Sequence, residues 1–516
     1  MSDRVLPVLR RVGVVVGRLG VLVLIWAGLA LLVAAAGIRY FWGEISVGQM
    51  MLNLVSVELD GGGGPIVWMG ILGVGVVPLL LTVGIGLWLR ARRRGRTRPG
   101  GDGRAHGRRR IARVVPTALV AAVVLGGTTA FATTVGVGDY LRAGNSSYLL
   151  GDYYVEPVVT GDAGRRNLVL IYLESGEATL ADDELFEKDA FVPLKEATRA
   201  EDGWQSVEGL QQYSGGGWTM AGIASTQCGV PLKGIGSAAG SGALNSLGGS
   251  VDTYLGGITC LGDVLGEHGY TNVFMGGANA SFAAKDAFLR THGYDEVKDL
   301  ADWRAAGEPE KNFRPDWGLS DGRLMAHAEE EVDALHAESR RTGRPFSLTL
   351  LTLDTHEPVH VYDYCDVDTD SEVTSVFECS MAQVAGFVEH LEQQGYLEDT
   401  AVVIMGDHLK HMSAGDAFHE QLDDHEDRTV FNRIRVPGED GALRPRVDQL
   451  SMYPTLLEAA GLSLQDGAAG LGISARSGQV PPGSAQALEP GAYEELLASR
   501  SPLFYARAWA GEDAAG

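Results

Sequence analysis

The chain has 516 residues, of which 45% are hydrophobic and 21% charged, and its formal net charge is −24 at pH 7. Residues 1–115 hold 16 basic and 5 acidic residues, whereas the remainder holds 26 basic and 61 acidic residues. An acidic surface repels a phosphate backbone, which argues against nucleic acid as a partner. The length allows two or three domains, and the longest apolar runs are concentrated in the first quarter of the chain.

Three apolar runs occupy the first quarter of the chain, at residues 19–38, 65–89 and 114–137. Each reaches the roughly 20 residues with which a helix spans about 30 Å of hydrocarbon, so the sequence predicts a membrane anchor of three transmembrane helices over residues 1–140. Buried core helices are an alternative. The first run could also be a signal peptide, although it is long for one and no small-residue cleavage site stands out after it.

Arginines predict the orientation of this anchor. Four of them, Arg4, Arg10, Arg11 and Arg18, precede the first run, and eleven crowd residues 90–113, between the second and third runs. Basic loops next to transmembrane helices stay in the cytoplasm, so we expect a multi-pass cell-membrane protein whose large domain is extracytoplasmic. A nucleic-acid-binding arm is the alternative for the basic block, but its place between two apolar runs favours topology.

The four cysteines, Cys228, Cys260, Cys365 and Cys379, all fall in the predicted extracytoplasmic part. An even number of cysteines outside the cytoplasm predicts two disulfides. Three pairings are possible, and loop closure favours the two local ones, Cys228–Cys260 and Cys365–Cys379. A zinc site is the rival interpretation, but the sequence has no CxxC pair.

The outer part reads as an α/β domain with a mainly parallel central sheet, because short apolar runs alternate with amphipathic segments. We expect buried strands at residues 167–173, 271–275, 346–353 and 400–405. Helices are predicted between them at residues 181–201, 261–268, 318–341 and 378–394.

The remaining boundaries follow from composition. Residues 141–165 are predicted to be a linker, residues 166–478 the catalytic domain, and residues 479–516 a C-terminal tail. The chain from about Gly467 is rich in Pro, Gly and Ala, and we expect it to pack weakly. The glycine-rich residues 234–257 lack a phosphate-loop lysine and are predicted to form a surface loop.

Polar residues follow the predicted strands, at the edge where ligands bind in open α/β sheets. Glu174 and the pair Asp407-His408 could bind one divalent metal together with a hydroxyl from the segment that ends at Thr219. A Gly-Asp-His tripeptide alone is more often a turn. In this order and setting, however, the groups are those that a metal-activated nucleophile needs.

Several strings carry a resemblance to a known family: NLVLIYLESGEATLADDELF, GGGWTMAGIASTQCGVPL, CLGDVLGEHGYTNVFMGGANASFAAKDAFLRTHGYDEV, FRPDWGLSDGRL, FSLTLLTLDTHEP and VVIMGDHL. Over roughly residues 166–478 the chain resembles the phosphoglycerol transferases that modify periplasmic glucans. It is more distantly similar to lipoteichoic acid synthases. Both belong to the sulfatase-like branch of the alkaline-phosphatase superfamily, so the resemblance implies an alkaline-phosphatase/sulfatase-like fold.

The resemblance also implies residue roles. Thr219 is then the nucleophile and a metal ligand, and His356 contacts the phosphate and the leaving oxygen. The metal ligands are Glu174, Thr219, Asp407 and His408. The residues expected at the substrate phosphate are Lys285, Asp316 and Trp317, with Lys285 in the place of an arginine of the lipoteichoic acid synthases. The cysteines coincide with those of the glucan-modifying relatives, which supports the local pairing.

One histidine among oxygen ligands predicts a hard cation, manganese or magnesium, with zinc as an alternative. His411, His419 and His425 are predicted to be surface or groove residues because no second ligand cluster is found upstream. A sulfatase proper would need a Cys or Ser in a C/S-x-P-x-R string. Met220, Ala221, Gly222 and Ile223 follow Thr219 instead.

The implied activity is transfer of phosphoglycerol from phosphatidylglycerol, through a covalent threonine intermediate, to an envelope acceptor. That acceptor could be a glycan, a glycolipid or a polymer. A phosphoethanolamine transferase or another sulfatase-like phosphodiesterase is the nearest alternative. A non-catalytic envelope binding protein is the more distant one.

Overall fold

The structure is a computed structural model that describes residues 2–42, 70–95, 105–234, 244, 251–411, 417–422, 425 and 427–510. The chain divides into two compact units, Met1–Leu141 and Arg142–Gly516. Most of the predicted glycine-rich loop, the loop between the first two apolar runs, and residues 96–104 of the basic block lie outside the described residues.

The first unit is helical. Its main helices are α1 (Ser2–Trp42), α2 (Val77–Gly95), which continues a π-helical turn at Ile71–Val76, and α3 (Ala105–Thr134). Among the described residues, only Val15–Tyr40 of α1 is both long and apolar enough to cross a membrane. Leu72–Trp88 and Ala118–Thr134 are shorter apolar helical segments. One N-terminal helix therefore fits a membrane anchor, and three crossings stay a prediction.

The strands of the second unit are β1 Val159–Gly161, β2 Asn167–Leu173, β3 Trp204–Gln205, β4 Thr271–Gly276, β5 Glu296–Lys298, β6 Phe346–Leu351, β7 Thr400–Gly406, β8 Asn432–Arg435, β9 Ser463–Leu464, β10 Ala468–Ala469 and β11 Gly472–Ile473. Seven of them form a sheet in the order β3-β8-β7-β2-β6-β4-β5. Within it, β2, β4, β5, β6 and β7 run parallel, and β8 pairs antiparallel with β7. Two two-stranded sheets, β1 with β9 and β10 with β11, accompany it.

A short helix, α4 (Val137–Ala143), crosses the boundary between the two units, and the other helices that follow it belong to the second unit. The bounds of those helices are α5 Leu150–Tyr153, α6 Asp183–Phe186, α7 Val192–Ala197, α8 Thr219–Cys228, α9 Leu261–Glu267, α10 Lys285–Thr291, α11 Leu300–Ala305, α12 Asp321–Thr342, α13 Glu372–Gln393, α14 His419–Leu422, α15 Met452–Ala459, α16 Pro490–Ala498 and α17 Pro502–Ala508.

The central strand shows why the sheet is covered on both sides. All seven residues of β2 are buried. Leu168, Leu170 and Tyr172 belong to one hydrophobic core, and the alternate residues Val169 and Ile171 belong to a second core. Successive side chains of a strand point to opposite faces, so a continuous apolar run places a core on each face. The predicted mainly parallel α/β domain is confirmed.

The four predicted strands are confirmed, with ends that differ by at most two residues. The predicted helix over residues 181–201 is wrong: this segment contains two short α-helices, α6 and α7, and two 3-10 turns. Asp182 caps α6 by accepting hydrogen bonds from two backbone amides, and Glu187 ends it at a positive φ of 71°. A local cap and a left-handed residue thus override the amphipathic pattern.

The expectation that the chain packs weakly after Gly467 is wrong for the described residues up to 510. Leu496 and Tyr505 are buried in the first core. Tyr505 donates a hydrogen bond to the carbonyl of Pro231 (2.7 Å), and the Trp509 indole donates to the carbonyl of Lys233 (2.8 Å). A few aromatic anchors hold a segment whose composition is otherwise typical of a loose tail.

Candidate metal and catalytic site

Three neighbouring parallel strands, β7, β2 and β6, end at the same edge of the sheet. Glu174 directly follows β2, Asp407 and His408 directly follow β7, and His356 lies five residues after β6. The carboxyl ends of adjacent parallel strands form the crevice in which ligands bind in such sheets. The fold therefore brings together residues that are more than 230 positions apart in the sequence.

Glu174, Asp407 and His408 form a buried group, called here the metal group because it could hold a metal ion. Their candidate ligand atoms all lie within 4.8 Å of one another. The Nε2 atom of His408 is 3.5 Å from both Glu174 Oε1 and Asp407 Oδ2. The His408 Nδ1 atom faces the carbonyl of Leu409 at 2.7 Å and must donate to it, which leaves Nε2 free as a ligand. A metal-binding imidazole typically has its second nitrogen fixed in this way.

The charges of this group favour a cation. Burial raises the pKa of Asp407 to about 7, and the negative charge of Glu174 adds to the effect. Burial by itself would lower the pKa of His408, but the carboxylates of Asp407 and Glu174 raise it. In the described part of the chain, Asp407 Oδ2 has no hydrogen-bond partner. Two buried carboxylates and one available imidazole nitrogen fit a divalent metal.

Thr219 is the first residue of helix α8, and its Oγ1 atom donates to Glu174 Oε2 at 3.4 Å. The helix approaches the metal group closely at Gly222, where an added Cβ would lie 1.9 Å from the carbonyl oxygen of Asp407. Only glycine fits at this position. The start of a helix also favours negative charge, so Thr219 lies where a phosphate would be stabilised.

His356 and Lys285 lie close enough to Glu174 for their charges to interact with it. Burial lowers the pKa of His356 although Glu174 raises it, and its Nδ1 atom donates to the carbonyl of Glu357 (2.8 Å). Burial also lowers the pKa of Lys285, against the opposing effect of Glu174 and Asp407. An imidazole and a buried ammonium thus accompany the metal group.

The last two predicted site residues lie beside His356. The ring of Trp317 packs on the imidazole of His356 with centroids 4.5 Å apart. The carboxylate of Asp316 accepts hydrogen bonds from Arg314 at 2.9 and 3.2 Å. The structure thus gives Asp316 a protein partner, and its contact with a substrate stays a prediction, as do the roles of the other site residues.

Sequence reasoning missed residues that hold the metal group in place. Ser175 adopts a positive φ of 56°, its Oγ donates to Glu174 Oε1 (2.8 Å) and its backbone amide donates to Asp407 Oδ1 (2.9 Å). Gln449 donates to the carbonyl of Asp407 (2.8 Å). Ser175 stands next to a predicted ligand and could have been suspected, whereas nothing in the sequence around Gln449 points to this contact.

The three histidines that follow the Asp407-His408 pair do not extend the site. Within the described residues, none of His411, His419 and His425 belongs to a group of ligating side chains. Another buried group contains Cys228, Cys260 and His292, but its two cysteines form a disulfide. The second disulfide joins Cys365 to Cys379, so both predicted pairings are confirmed.

Residues 210–462 match the family model described as Sulfatase. The chain is 37% identical over 254 residues to phosphoglycerol transferase I of Xanthomonas campestris pv. campestris, which covers 48% of this chain and 34% of that protein. It is 33% identical over 291 residues to phosphoglycerol transferase I of Salmonella paratyphi B, and this match covers 53% of this chain and 34% of that protein. The matched region thus spans about a third of the length of these relatives.

Among solved structures, the chain is similar to lipoteichoic acid synthase LtaP of Listeria monocytogenes, with a TM-score of 0.45, 18% identity, and coverage of 63% of this chain and 78% of that one. It is also similar to Streptococcus pyogenes phosphoglycerol transferase GacH in complex with sn-glycerol-1-phosphate, with a TM-score of 0.41, 12% identity, and coverage of 72% and 94%. In sequence, about half of the chain is thus similar to proteins named phosphoglycerol transferase I, and residues 210–462 match the Sulfatase family model.

Proposed function

We propose that this protein is a membrane-anchored transferase that moves phosphoglycerol from phosphatidylglycerol to a hydroxyl group of an envelope glycan, glycolipid or polymer. One observation carries the proposal. The hydroxyl of Thr219 contacts Glu174 beside Asp407 and His408, in a chain whose relatives are named phosphoglycerol transferases. A hydroxyl placed beside a metal group is the arrangement that nucleophilic catalysis at phosphorus needs.

The metal would be held by Glu174, Thr219, Asp407 and His408. We infer manganese, with magnesium and zinc as alternatives, because one imidazole nitrogen among oxygen ligands makes a hard set. When bound, the cation would lower the pKa of the nucleophile and offset the charge of the phosphate oxygens. Lys285 would place a positive charge beside the phosphate of the substrate.

The side chains of the site would carry out two successive displacements at phosphorus. In the first, Thr219 Oγ1 bonds to phosphorus and the bond from phosphorus to the diacylglycerol oxygen breaks. The Thr219 proton passes to Glu174, and protonated His356 gives a proton to the leaving diacylglycerol. In the second, an acceptor hydroxyl gives its proton to His356 and bonds to phosphorus, while Thr219 leaves and recovers its proton. Burial lowers the pKa of His356, which makes its cation a stronger acid for the first step.

The membrane anchor would hold the active site near its lipid donor at high effective concentration. Helix α1 supplies one span that fits. We infer two further spans from the apolar runs at residues 65–89 and 114–137, with the large domain outside the cytoplasm. Reporter fusions after residues 100 and 510 test this: an enzyme reporter active only outside the cytoplasm should work at residue 510 and fail at residue 100.

Incubation of the purified full chain in detergent micelles with head-group-labelled phosphatidylglycerol and Mn²⁺ tests the function. Diacylglycerol should appear, and label should be trapped on the peptide that contains Thr219. Label from phosphatidylethanolamine alone would identify the protein as a phosphoethanolamine transferase instead. No turnover of either lipid, with metal bound, would support a non-catalytic protein.

A further inference from the structure

Residues 353–358 form the segment after β6 that carries His356, called here the His356 loop. The guanidinium of Arg314 lies against its backbone. It donates hydrogen bonds to the carbonyls of Leu353 and His356, both at 3.0 Å, and to the carbonyl of Pro358. The Arg314 side chain is completely buried, so water does not compete for these bonds. One side chain thus contacts the His356 loop before, at and after its histidine.

The same guanidinium holds the segment that packs on the imidazole. Arg314 Nε donates to Asp316 Oδ1 at 2.9 Å, and Nη2 donates to Asp316 Oδ2 at 3.2 Å. The next residue, Trp317, packs on the ring of His356. Arg314 therefore fixes both the backbone of His356 and the residue before its aromatic neighbour.

Lysine cannot reproduce this arrangement. A guanidinium presents five donors in a rigid plane, which suits a carboxylate on one side and several carbonyls on the other. An ammonium donates from a single point and cannot span the same acceptors. The ion pair with Asp316 also balances the buried charge of Arg314.

We propose that Arg314 is the positioning residue that orients His356 for proton transfer to and from the leaving and attacking oxygens. This inference rests on the proposed function and on the role of His356 in it. Arg314 does not touch the reacting atoms. A displacement of about 1 Å in a catalytic group can cost roughly 100-fold in rate, so the contacts of Arg314 are sufficient to control catalysis.

The test uses the full chain with Mn²⁺ and two substrates, phosphatidylglycerol and a chromogenic phosphodiester such as bis-p-nitrophenyl phosphate. Arg314→Lys should lower kcat by about 10- to 100-fold and change KM by less than about twofold. In a His356→Ala background, Arg314→Lys should cause no further loss of kcat, because two residues that act as one unit are not additive.

Arg435→Lys is the matched control. Arg435 also donates to backbone carbonyls, those of Asp202 and Leu397, but it pairs with Val402 near the opposite end of β7 from Asp407. Its replacement removes a comparable clamp and should leave kcat unchanged.

An assay without turnover separates this proposal from the proposed function. The rate at which diethyl pyrocarbonate modifies His356, measured by peptide mass spectrometry against His268, should rise severalfold in Arg314→Lys and stay unchanged in Arg435→Lys. Equal losses of kcat in the presence and absence of His356, or an unchanged modification rate, would overturn the positioning role. Absence of phosphoglycerol transfer by the wild type would overturn the proposed function and leave the modification assay decisive for Arg314.

Discussion

The Oδ2 atom of Asp407 lies 3.5 Å from the Nε2 atom of His408 in a fully buried position, and no donor reaches it within the described residues. The other oxygen, Oδ1, accepts two backbone amides, from Ser175 and from His408 itself. Hydrogen bonds to Oδ1 therefore orient the carboxylate, and Oδ2 is available as a ligand atom. A buried oxygen without a donor and an available imidazole nitrogen are two ligand atoms that would hold a divalent cation.

Removal of the metal should destabilise the protein. A cation that binds only the folded state at 100 times its Kd stabilises by about 2.7 kcal/mol. Treatment with a chelator should therefore lower the Tm of the full chain, and Mn²⁺ should restore it. Asp407→Asn should remove most of this response, whereas Asp162→Asn, at an exposed carboxylate outside the site, should retain it. A chelator-insensitive Tm would contradict a structural contribution from the metal.

Thr219→Ala should abolish transfer and the covalent label without unfolding the domain. The hydroxyl is the proposed nucleophile, while the sheet and the other three ligands are unchanged. Thr219→Ser should retain partial activity because only a methyl group is lost. Thr160→Ala removes another threonine hydroxyl, one on β1 that donates to the carbonyl of Ser463 on β9, and should have no effect on rate. Measured by release of diacylglycerol, full turnover by Thr219→Ala would refute the mechanism.

Gly222→Ala and Gly386→Ala should have opposite effects on stability. Ala usually stabilises a helix relative to Gly by about 1 kcal/mol. An added Cβ at Gly386, in α13, meets nothing within 4 Å, so the gain should be seen there. At Gly222 the Cβ would overlap the Asp407 carbonyl, and we expect a loss of about 1–3 kcal/mol and weaker metal binding. Thermal unfolding and metal titration measure both, and equal gains in the two variants would show that α8 can move away.

The stability of the Asp354→Asn variant relative to the wild type should increase as pH rises. Burial, and then the charge of Asp321, raise the pKa of Asp354 well above its ordinary value. A raised folded-state pKa gives stability that is fully present below the unfolded value near 4 and is lost as pH increases, by at most about 1.4 kcal/mol per pH unit. The amide removes this loss, and its oxygen can still accept from Tyr364 and the amide of Asp321.

The control for this pair is Asp321→Asn. Both oxygens of Asp321 accept hydrogen bonds, from the amides of Leu353 and Asp354 and from the hydroxyl of Ser380. An amide would place a donor against a donor, so this variant should be destabilised at every pH. Tm values at pH 5 and pH 8 compare the three proteins, and a parallel pH dependence of Asp354→Asn and wild type would contradict the raised pKa.

Loss of the Cys228–Cys260 disulfide should cost more than loss of Cys365–Cys379. The separations are 32 and 14 residues, and the chain-entropy difference between such loops is about 0.7 kcal/mol within typical totals of about 2–4 kcal/mol. Cys228 and Cys260 are also completely buried, so their removal leaves a cavity. The paired Cys→Ala variants, compared by Tm, test this order, and the reverse order would show that the chain-entropy argument fails here.

The sequence by itself determined the strands and the residues at their ends. An apolar run such as 167–173 can be satisfied only between two cores, and parallel strands place their following residues at one edge, so Glu174 and Asp407 were predictable as neighbours. The two cysteine pairs were predictable because loop closure favours short separations. Local pattern failed at residues 181–201, where the Asp182 cap and the left-handed Glu187 divide the predicted helix.

Only the tertiary structure decided how the site is held. Arg314 donates a hydrogen bond to the carbonyl of His356, about 40 residues later in the sequence. The carbonyl of Asp407 accepts from Gln449, and it packs against α8 at Gly222, where there is no side chain. The buried aromatics after residue 490 likewise fill space that other segments create. Such contacts depend on the distance and angle between separately folded segments. Packing fixes these quantities, and no periodicity or spacing within one segment encodes them.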